Sequence, residues 1–166
     1  MRIRLAEPRD AEAIRAIYNR EVTTSTSTFD LVPRSLPDQL AWLDRHRGAH
    51  PAIVAVTEGE PRAQIVLGFG ALAPFRSRPA YATSVENSVY VDADRRQRGV
   101  GRALLEELVR LAAAHGFHTV IARIVGGNEA SIALHRACGF EVVGVEREVG
   151  RKHRQWLDVV ELQRML

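Results

Sequence analysis

Apolar residues recur along this chain at two different spacings, and the longer spacing predicts four helices. Each predicted helix carries an apolar residue every three or four positions, as a helix with one buried face does. The first helix follows Asp10, the second and third occupy 36–47 and 103–114, and the fourth runs from Asn128 to Ala137. In the second helix we expect Leu36, Leu40 and Leu43 to face inward and Gly48 to end the helix.

Alternating and short continuous apolar runs predict strands between these helices. The runs lie at 2–6, 52–57, 64–73, 85–91, 119–125, 140–149 and 156–162. The turn signal at 58–61 (EGEP) joins the second and third runs into a hairpin. No linker, repeat or shift of composition divides the chain, so the sequence predicts a single α/β domain over residues 1–166.

A glycine-rich turn joins the strand at 85–91 to the helix at 103–114. Gly99 and Gly101 allow a tight turn free of Cβ atoms, so several backbone N–H groups can point outward at a helix start. Four arginines surround the turn: Arg95, Arg96, Arg98 and Arg102. The combination favours a ligand that carries phosphate. The glycines alone are equally typical of an ordinary strand-to-helix connection.

The spacing of the glycines disfavours the two usual nucleotide-binding loops. Leu104 replaces the third glycine of GxGxxG, and GxxxxGK[ST] is absent. Residues 96–101 instead match R/Q-x-x-G-x-G/A, and at this motif the chain resembles the GCN5-related N-acetyltransferases, the GNAT family. In that family the loop binds the pyrophosphate of acetyl-CoA.

Glu86 stands inside an otherwise apolar strand. It shares a face with Ser88 and Tyr90, because side chains in a strand alternate with a period of two. One interpretation is a solvent-facing carboxylate or the partner of an arginine. The other is a general base: partial burial would raise its pKa, and it could then take the proton of an ammonium so that the amine attacks a thioester.

Asn128, Ser131 and His135 recur at helical spacing on one face of the last predicted helix. His135 is a second candidate for chemistry, although a lone helical histidine is commonly structural. Asn128 can equally be a helix cap and Ser131 a packing residue. Cys138 raises the alternative of a cysteine–histidine nucleophile. Its place just before Gly139, which ends the helix, favours a small buried side chain instead.

Six consecutive Ser and Thr residues at 23–28 precede Phe29. Such a run is either a bare surface loop or the wall of a pocket, with hydroxyl groups and one aromatic ring facing a ligand. The residues themselves leave both interpretations open.

Over almost its whole length the chain resembles one GNAT subgroup, the phosphinothricin and methionine sulfone or sulfoximine N-acetyltransferases. The matching stretches are TSTSTF at 24–29, residues 78–81, VENSVYV at 85–91, the glycine loop, NEASIALHRACGF at 128–140 and KHRQWLDV at 152–159. The resemblance implies the GNAT fold, a twisted, mixed but mostly antiparallel sheet of about seven strands with about four helices, splayed at the acetyl-CoA site. It also implies a homodimer with the active site near the subunit interface.

The resemblance also implies roles for individual residues. Glu86 corresponds to the base, and His135 lies where other members have a tyrosine that protonates the departing CoA thiolate. The implied contacts of acetyl-CoA are Val89, Tyr90, Val91, Gln97, Arg98, Gly99, Val100, Gly101, Arg102, Asn128 and Ser131. The acceptor is a small amino-acid analogue acetylated on its α-amino group by direct transfer, and its implied contacts are Phe29, Arg76, Arg78, Tyr81 and Tyr90.

Two other functions remain open. One is a GNAT enzyme that acetylates another amine, such as a protein N-terminus, a polyamine or a different amino acid. The other is a CoA-binding sensor without turnover. The sequence holds no acidic cluster of the kind that would bind a polycation.

Composition narrows the partners and the compartment. The net charge is only +3 and no basic stripe alternates with aromatic residues, so we expect no nucleic acid. No apolar run approaches the roughly 20 residues that span a bilayer, so we expect no membrane segment. The start lacks a long apolar stretch and Cys138 is the one cysteine, which indicates a reducing cytoplasm. His115 and His118 lack matching ligands, so we expect no metal.

Overall fold

The computed structural model describes residues 1–61 and 63–166, and over these residues the chain forms four α-helices and seven strands. The helices are α1 (Ala11–Thr24), α2 (Leu36–Arg45), α3 (Val100–Ala114) and α4 (Glu129–Ala137). The strands are β1 (Arg2–Leu5), β2 (Ala52–Val56), β3 (Val66–Pro74), β4 (Ser84–Val91), β5 (Thr119–Val125), β6 (Glu141–Lys152) and β7 (Gln155–Met165). Every predicted helix and strand is present.

The strands form one sheet in the order β1-β2-β3-β4-β5-β7-β6. All neighbours are antiparallel except β4 and β5, which run parallel. A parallel pair needs a long connection that crosses over the sheet, and α3 lies in that connection. The prediction of a mixed, mostly antiparallel sheet flanked by four helices is confirmed.

Side chains of the strands alternate between two apolar layers, one on each face of the sheet. In β2, Ile53 packs with Leu104 and Leu108 in the layer of α3 and α4, whereas Val54 packs with Ile14 in the layer of α1 and α2. All five side chains are almost fully buried. Burying a side chain of this size stabilises a fold by about 1.5–3 kcal/mol relative to exposing it, so both layers hold their helices on the sheet.

β4 and β5 pair over only a short length. The register joins Ser84–Glu86 to Thr119–Ile121, and the described structure contains no further pair between the two strands, although β4 continues to Val91 and β5 to Val125. The strands therefore diverge into a gap. Along this gap one edge of β4 has backbone N–H and C=O groups without a strand partner. The splay that the resemblance implies is thus present.

The buried face of α2 differs from the prediction. Leu36 and Leu40 are 42% and 41% exposed, while Leu43 is buried as expected. Gln39 is fully buried, and Trp42 packs against the layer of α1 and α2. Apolar residues on two neighbouring faces are compatible with more than one orientation of a helix, and the contact with α1 selects the face that carries Gln39.

The ends of three elements also differ from the predicted ones. α2 ends at Arg45 rather than at Gly48, with the N–H of the following residue bonded inside the last turn. β6 and β7 continue past the predicted limits until Lys152 pairs with Gln155. Backbone ladder bonds do not need apolar side chains, so this ribbon continues through charged residues that carry no alternating pattern.

Gly68 on β3 lies where a side chain has no room. A Cβ atom there would lie 2.8 Å from the carbonyl oxygen of Tyr90 and 3.2 Å from Cγ1 of Val100 at the start of α3. We expect Gly68→Ala to lower the free energy of unfolding by about 1–3 kcal/mol, because β4 or α3 must move. Thermal unfolding followed by circular dichroism measures the change.

Gly144→Ala is the matched control, since a Cβ atom at Gly144 meets no atom within 4 Å. Its melting temperature should stay close to that of the unmodified chain. Equal losses in the two variants would contradict the close approach of α3 to the sheet at Gly68.

Candidate active site

The gap between β4 and β5 opens into a cavity of about 890 Å³, a size typical of small-molecule and cofactor sites. Its wall is formed by β4 from Glu86 to Val91, the glycine turn, the end of β5, one face of α4 and the segment after α1. The cavity therefore brings together the glycine turn, the carboxylate and the helix face that the sequence singled out separately.

Glu86 lies at the closed end of the gap, because it is the last residue of β4 that pairs with β5. It stands opposite Ala73 of β3 and on the same side of β4 as Ser88 and Tyr90. No hydrogen bond from the described residues contributes to the state of its carboxylate. Burial raises the pKa of Glu86 above its ordinary value. The carboxylate is therefore free to accept a proton from a bound molecule.

Arg123 of β5 partly neutralises the negative charge of the carboxylates on this side of the sheet. Its guanidinium forms ion pairs with Glu146 of β6 and, at 3.5 Å, with Glu161 of β7. Burial is the main cause of the raised pKa of Glu86; Arg123 opposes it, and Glu161 and Glu146 add to it. Because the charges partly cancel, burial decides the direction of the shift.

The glycine turn begins α3 at the edge of the cavity. Gly99 is the N-cap of α3 with a φ of +77°, in the left-handed region that favours glycine. A Cβ atom at Gly101 would lie 3.2 Å from Leu134 of α4 and 3.5 Å from Val91 of β4, so this glycine allows α3 to approach both. The first N–H groups of an α-helix have no partner within the helix, and here they border the cavity, an arrangement that can bind an anion.

The arginines of the turn differ in their surroundings. Arg96 pairs with Glu21 of α1, and Arg102 pairs with Glu106 at 2.8 Å. Arg96 and Arg102 line the cavity, whereas Arg98 does not belong to its wall. Part of the positive charge that the sequence placed around the turn is thus compensated by carboxylates of the same chain.

The predicted face of α4, with Asn128, Ser131 and His135, lines the cavity. Asn128 caps the helix, since its Oδ1 accepts a hydrogen bond from Ser131 N at 3.2 Å. His135 is 4% exposed. Its Nδ1 lies 2.8 Å from Ser131 O and its Nε2 lies 3.1 Å from Oδ1 of Asn87. Burial lowers the pKa of His135, and the contact with Ser131 O opposes that shift.

Sequence reasoning overlooked three polar residues of the cavity wall, Glu21, Asn87 and Arg123. Asn87 is buried beside Glu86 within the apolar strand, and Arg123 interrupts the apolar run of β5. Glu21 lies on the buried side of α1 and accepts a hydrogen bond from Ser25 Oγ at 2.6 Å. A polar side chain at a position that the period assigns to the interior was the available signal in all three cases.

The Ser/Thr run forms part of the wall, because Thr26 and Ser27 line the cavity. Thr28 is buried and fixes the run in place. Its hydroxyl shares a hydrogen bond with Tyr18 at 2.7 Å, and its carbonyl accepts one from Lys152 Nζ at 2.8 Å. Of the two interpretations of this run, the structure favours the pocket wall.

The five residues implied to contact an acceptor lie in three places. Tyr90 lines the cavity, and burial raises the pKa of its hydroxyl. Phe29 packs over Gly150 of β6, where its ring leaves no room for a Cβ atom. The other three lie on the segment between β3 and β4, outside the cavity wall: Arg76, Arg78 and Tyr81. The structure thus brings one of the five to the cavity.

Residues 1–61 and 63–166 contain no group of three or more His, Cys, Asp or Glu side chains that could hold a metal ion. Among the helices described here, none has the length and apolarity needed to cross a membrane.

Comparison with known proteins agrees with this geometry. Residues 3–160 match the acetyltransferase (GNAT) domain. The L-methionine sulfoximine/L-methionine sulfone acetyltransferase of Pseudomonas aeruginosa is 40% identical over 162 residues, which cover 97% of this chain and 92% of that protein.

Two solved structures superpose on nearly the whole chain. A ribosomal-protein-alanine N-acetyltransferase from Brucella melitensis has a TM-score of 0.94 and 38% identity, with 100% of both chains covered. A GNAT phosphinothricin acetyltransferase from Sinorhizobium meliloti in complex with acetyl-CoA has a TM-score of 0.92 and 37% identity, with 99% of this chain and 88% of that one covered. The chain belongs to the GNAT family of acetyltransferases.

Proposed function

We propose that this protein transfers the acetyl group of acetyl-CoA to the α-amino group of a small amino-acid analogue such as phosphinothricin, methionine sulfone or methionine sulfoximine. The observation that carries the proposal is the placement of Glu86. Its buried carboxylate lies at the closed end of the gap, and the start of α3 borders the same cavity. One extended cosubstrate can therefore reach a base at its acyl end and an anion site at its phosphate end.

The dimensions of β4 support this placement of acetyl-CoA. At about 3.3 Å per residue, Val91 lies about 17 Å along the strand from Glu86. The unpaired edge of Val89–Val91 offers amide partners to the pantetheine arm. Of the predicted stretch Gln97–Arg102, all residues except Arg98 line the cavity and would hold the pyrophosphate, with Asn128 and Ser131 facing the arm from α4.

Glu86 acts as the general base in this proposal. It takes the proton of the acceptor ammonium, directly or through water, and so frees the nitrogen lone pair for attack on the thioester carbon. The C–N bond forms and the C–S bond breaks, without an acyl-enzyme. The raised pKa of Glu86 supports this role, because a base whose pKa lies closer to neutrality accepts a proton more readily.

His135 is the group that we place beside the departing thiolate. It lines the cavity on α4, and its Nε2 lies toward β4 at Asn87. A hydrogen bond from Nε2–H to the sulfur stabilises the thiolate as it leaves, and CoA then takes its proton from solvent.

Two regions recognise the acceptor in this proposal. Tyr90 lies in the cavity, and Arg76, Arg78 and Tyr81 lie on the segment that leads into β4 just before Glu86. An acceptor bound at Glu86 would lie between them. Phe29 would contribute from the end of the Ser/Thr run. The relatives named for methionine sulfone and phosphinothricin support an acceptor with a tetrahedral side-chain group.

A protein N-terminus is the second candidate acceptor. The Brucella relative is named for ribosomal-protein alanine, whose reacting group would also be an α-amino group. The two candidates differ in size beyond the α-carbon, so acceptor turnover separates them.

We further propose that the protein works as a homodimer in the cytoplasm. Val143, Val145, Val149 and Trp156 leave between 50% and 60% of their surfaces exposed on β6 and β7. β6 is also an outer strand of the sheet. An exposed apolar patch at such an edge is typical of a protein interface. The free cysteine, Cys138, supports a reducing compartment.

Acceptor choice is tested by thiol release. With acetyl-CoA fixed, phosphinothricin or methionine sulfone should release free CoA far above the background rate, measured with a chromogenic thiol reagent. A peptide with N-terminal alanine, a polyamine and ordinary amino acids complete the panel. Release with the peptide alone would replace the proposed acceptor by a protein N-terminus.

Glu86→Gln should lower kcat by about 100- to 10,000-fold, because the amide cannot take a proton, while acetyl-CoA binding measured by calorimetry stays unchanged. Glu12→Gln is the matched control, since Glu12 pairs with Arg15 on the exposed face of α1 and should keep full activity. Unchanged turnover in Glu86→Gln would remove this base from the mechanism.

The pH dependence of kcat/KM is a second test of Glu86 as the base. Only deprotonated Glu86 is a base, so kcat/KM should fall as pH falls through its pKa. That pKa is raised by burial, so the acid limb should lie above the pH range of an exposed glutamate. The limb should disappear in Glu86→Gln.

Trp156→Glu should convert the proposed dimer into a monomer, because it places a charge in the exposed apolar patch. Light scattering coupled to size-exclusion chromatography measures the mass. Val32→Glu, at a position 76% exposed between α1 and α2, is the control and should stay dimeric. A monomeric unmodified protein would exclude the proposed dimer.

A further inference from the structure

We propose that Asn87 is a positioning residue that fixes the proton of His135 on Nε2, the nitrogen that faces the gap. The inference rests on the proposed function, in which His135 lies beside the departing thiolate. Asn87 itself contacts neither acetyl group nor acceptor in this proposal and acts through His135.

Asn87 occupies the point where the sheet opens. It directly follows Glu86, the last residue of β4 that pairs with β5, and it is 6% exposed. The carbonyl of Ile121 lies at the same point of β5. This carbonyl belongs to the last pair of the ladder, Glu86 with Ile121, and since a carbonyl oxygen can accept two hydrogen bonds it can also accept one from a side chain. The side chain of Asn87 donates such a bond, from Nδ2 to Ile121 O at 3.2 Å.

This bond decides which way the amide of Asn87 faces. Only its nitrogen can donate to the carbonyl of Ile121, so Oδ1 must face the other way, toward His135 Nε2 at 3.1 Å. The amide oxygen is an acceptor only. Nε2 must therefore carry a hydrogen for this contact to be a bond. The carbonyl of β5 thus selects, through Asn87, the protonated nitrogen of a histidine on α4.

The second ring nitrogen of His135, Nδ1, also faces an oxygen that can only accept a hydrogen bond. Nδ1 lies 2.8 Å from Ser131 O, which is also an acceptor. A neutral imidazole carries one N–H and satisfies one of these two contacts, whereas the imidazolium satisfies both. No carboxylate of the described residues hydrogen-bonds to the ring. In the neutral ring the two acceptors compete for one proton, and the proposal assigns that proton to Nε2, where Oδ1 of Asn87 accepts it.

The arrangement has a direct use in the transfer. As the C–S bond breaks, the Nε2–H of the neutral ring exchanges Oδ1 of Asn87 for the thiolate sulfur as its acceptor, and this hydrogen bond stabilises the negative charge on sulfur. His135 keeps its proton and the CoA thiolate takes one from solvent, while Glu86 releases to solvent the proton that it took from the ammonium. Without Asn87 the ring would place its single proton on Nδ1, where Ser131 O accepts it.

Nuclear magnetic resonance of the full-length protein reads the tautomer independently of activity. In long-range ¹H–¹⁵N spectra, the ring of His135, identified by its absence in His135→Ala, should carry its proton on Nε2. In Asn87→Leu it should shift to the Nδ1–H tautomer. In Asn87→Asp, which keeps an acceptor oxygen toward the ring, Nε2 should stay protonated. An unchanged tautomer in Asn87→Leu would overturn the inference.

Kinetics tests whether Asn87 acts through His135. Asn87→Leu should lower kcat about tenfold, less than the roughly 100- to 10,000-fold typical of a general acid or base, because Asn87 acts only through His135. The double variant with His135→Ala should be no slower than His135→Ala alone, because coupled residues are not additive. Asn87→Asp should recover most of the turnover. Additive losses in the double variant would overturn the inference.

Asn19→Leu is the matched control for stability. Asn19 makes the same two kinds of bond, donating to Arg34 O at 2.9 Å and accepting from Arg34 N at 2.8 Å, but it lies on α1 outside the cavity wall. Its melting temperature should fall while kcat stays unchanged. An equal loss of kcat in Asn19→Leu would assign the effect of Asn87 to folding.

Different results would overturn the role of His135 and the role of Asn87. Full turnover in His135→Ala would remove His135 from the proposed function. The ¹H–¹⁵N spectra would still show which ring nitrogen of His135 carries the proton. An unchanged tautomer in Asn87→Leu would overturn the role of Asn87 and leave the base, the cosubstrate and the acceptor of the proposed function untouched.

Discussion

The site depends on one interruption of the sheet: β4 and β5 pair for three residues and then part. A strand edge in the middle of a sheet is costly unless its N–H and C=O groups find other partners. Here the side chain of Asn87 donates to the carbonyl of Ile121, in the last pair of the ladder, and the edge beyond that pair faces the cavity. The interruption places Glu86 at the closed end of a binding cleft and supplies that cleft with polar backbone groups.

Close packing fixes the second end of the cleft. Gly68 allows β3 to lie against β4 and the start of α3, and Gly101 allows α3 to lie against β4 and α4. The helix start and the open strand edge therefore keep a constant relation, because neither glycine leaves space for a side chain. A site held by packed elements needs little reorganisation when a ligand enters, which lowers the cost of ordering it.

The two ends of the cleft differ in charge. Around Glu86 the carboxylates of Glu146 and Glu161 share a single guanidinium, that of Arg123. At the other end, the N-terminus of α3 adds its partial positive charge to Arg102. In the proposed complex the phosphates of acetyl-CoA lie at the α3 end and its uncharged thioester lies at the Glu86 end. Electrostatics thus supports the same orientation as the shape of the cleft.

The sequence by itself determined the features that are local. The periods of two and 3.6 located every helix and strand, the glycine spacing located a turn at a helix start, and Glu86 within an apolar strand marked a candidate base. Tertiary structure decided what depends on contacts between distant segments. The buried face of α2 followed from its packing on α1, and Arg123 met its partners only across β6 and β7. Asn87 and His135, 48 residues apart, meet because a parallel pair of strands opens beneath α4, and no local pattern records such a contact.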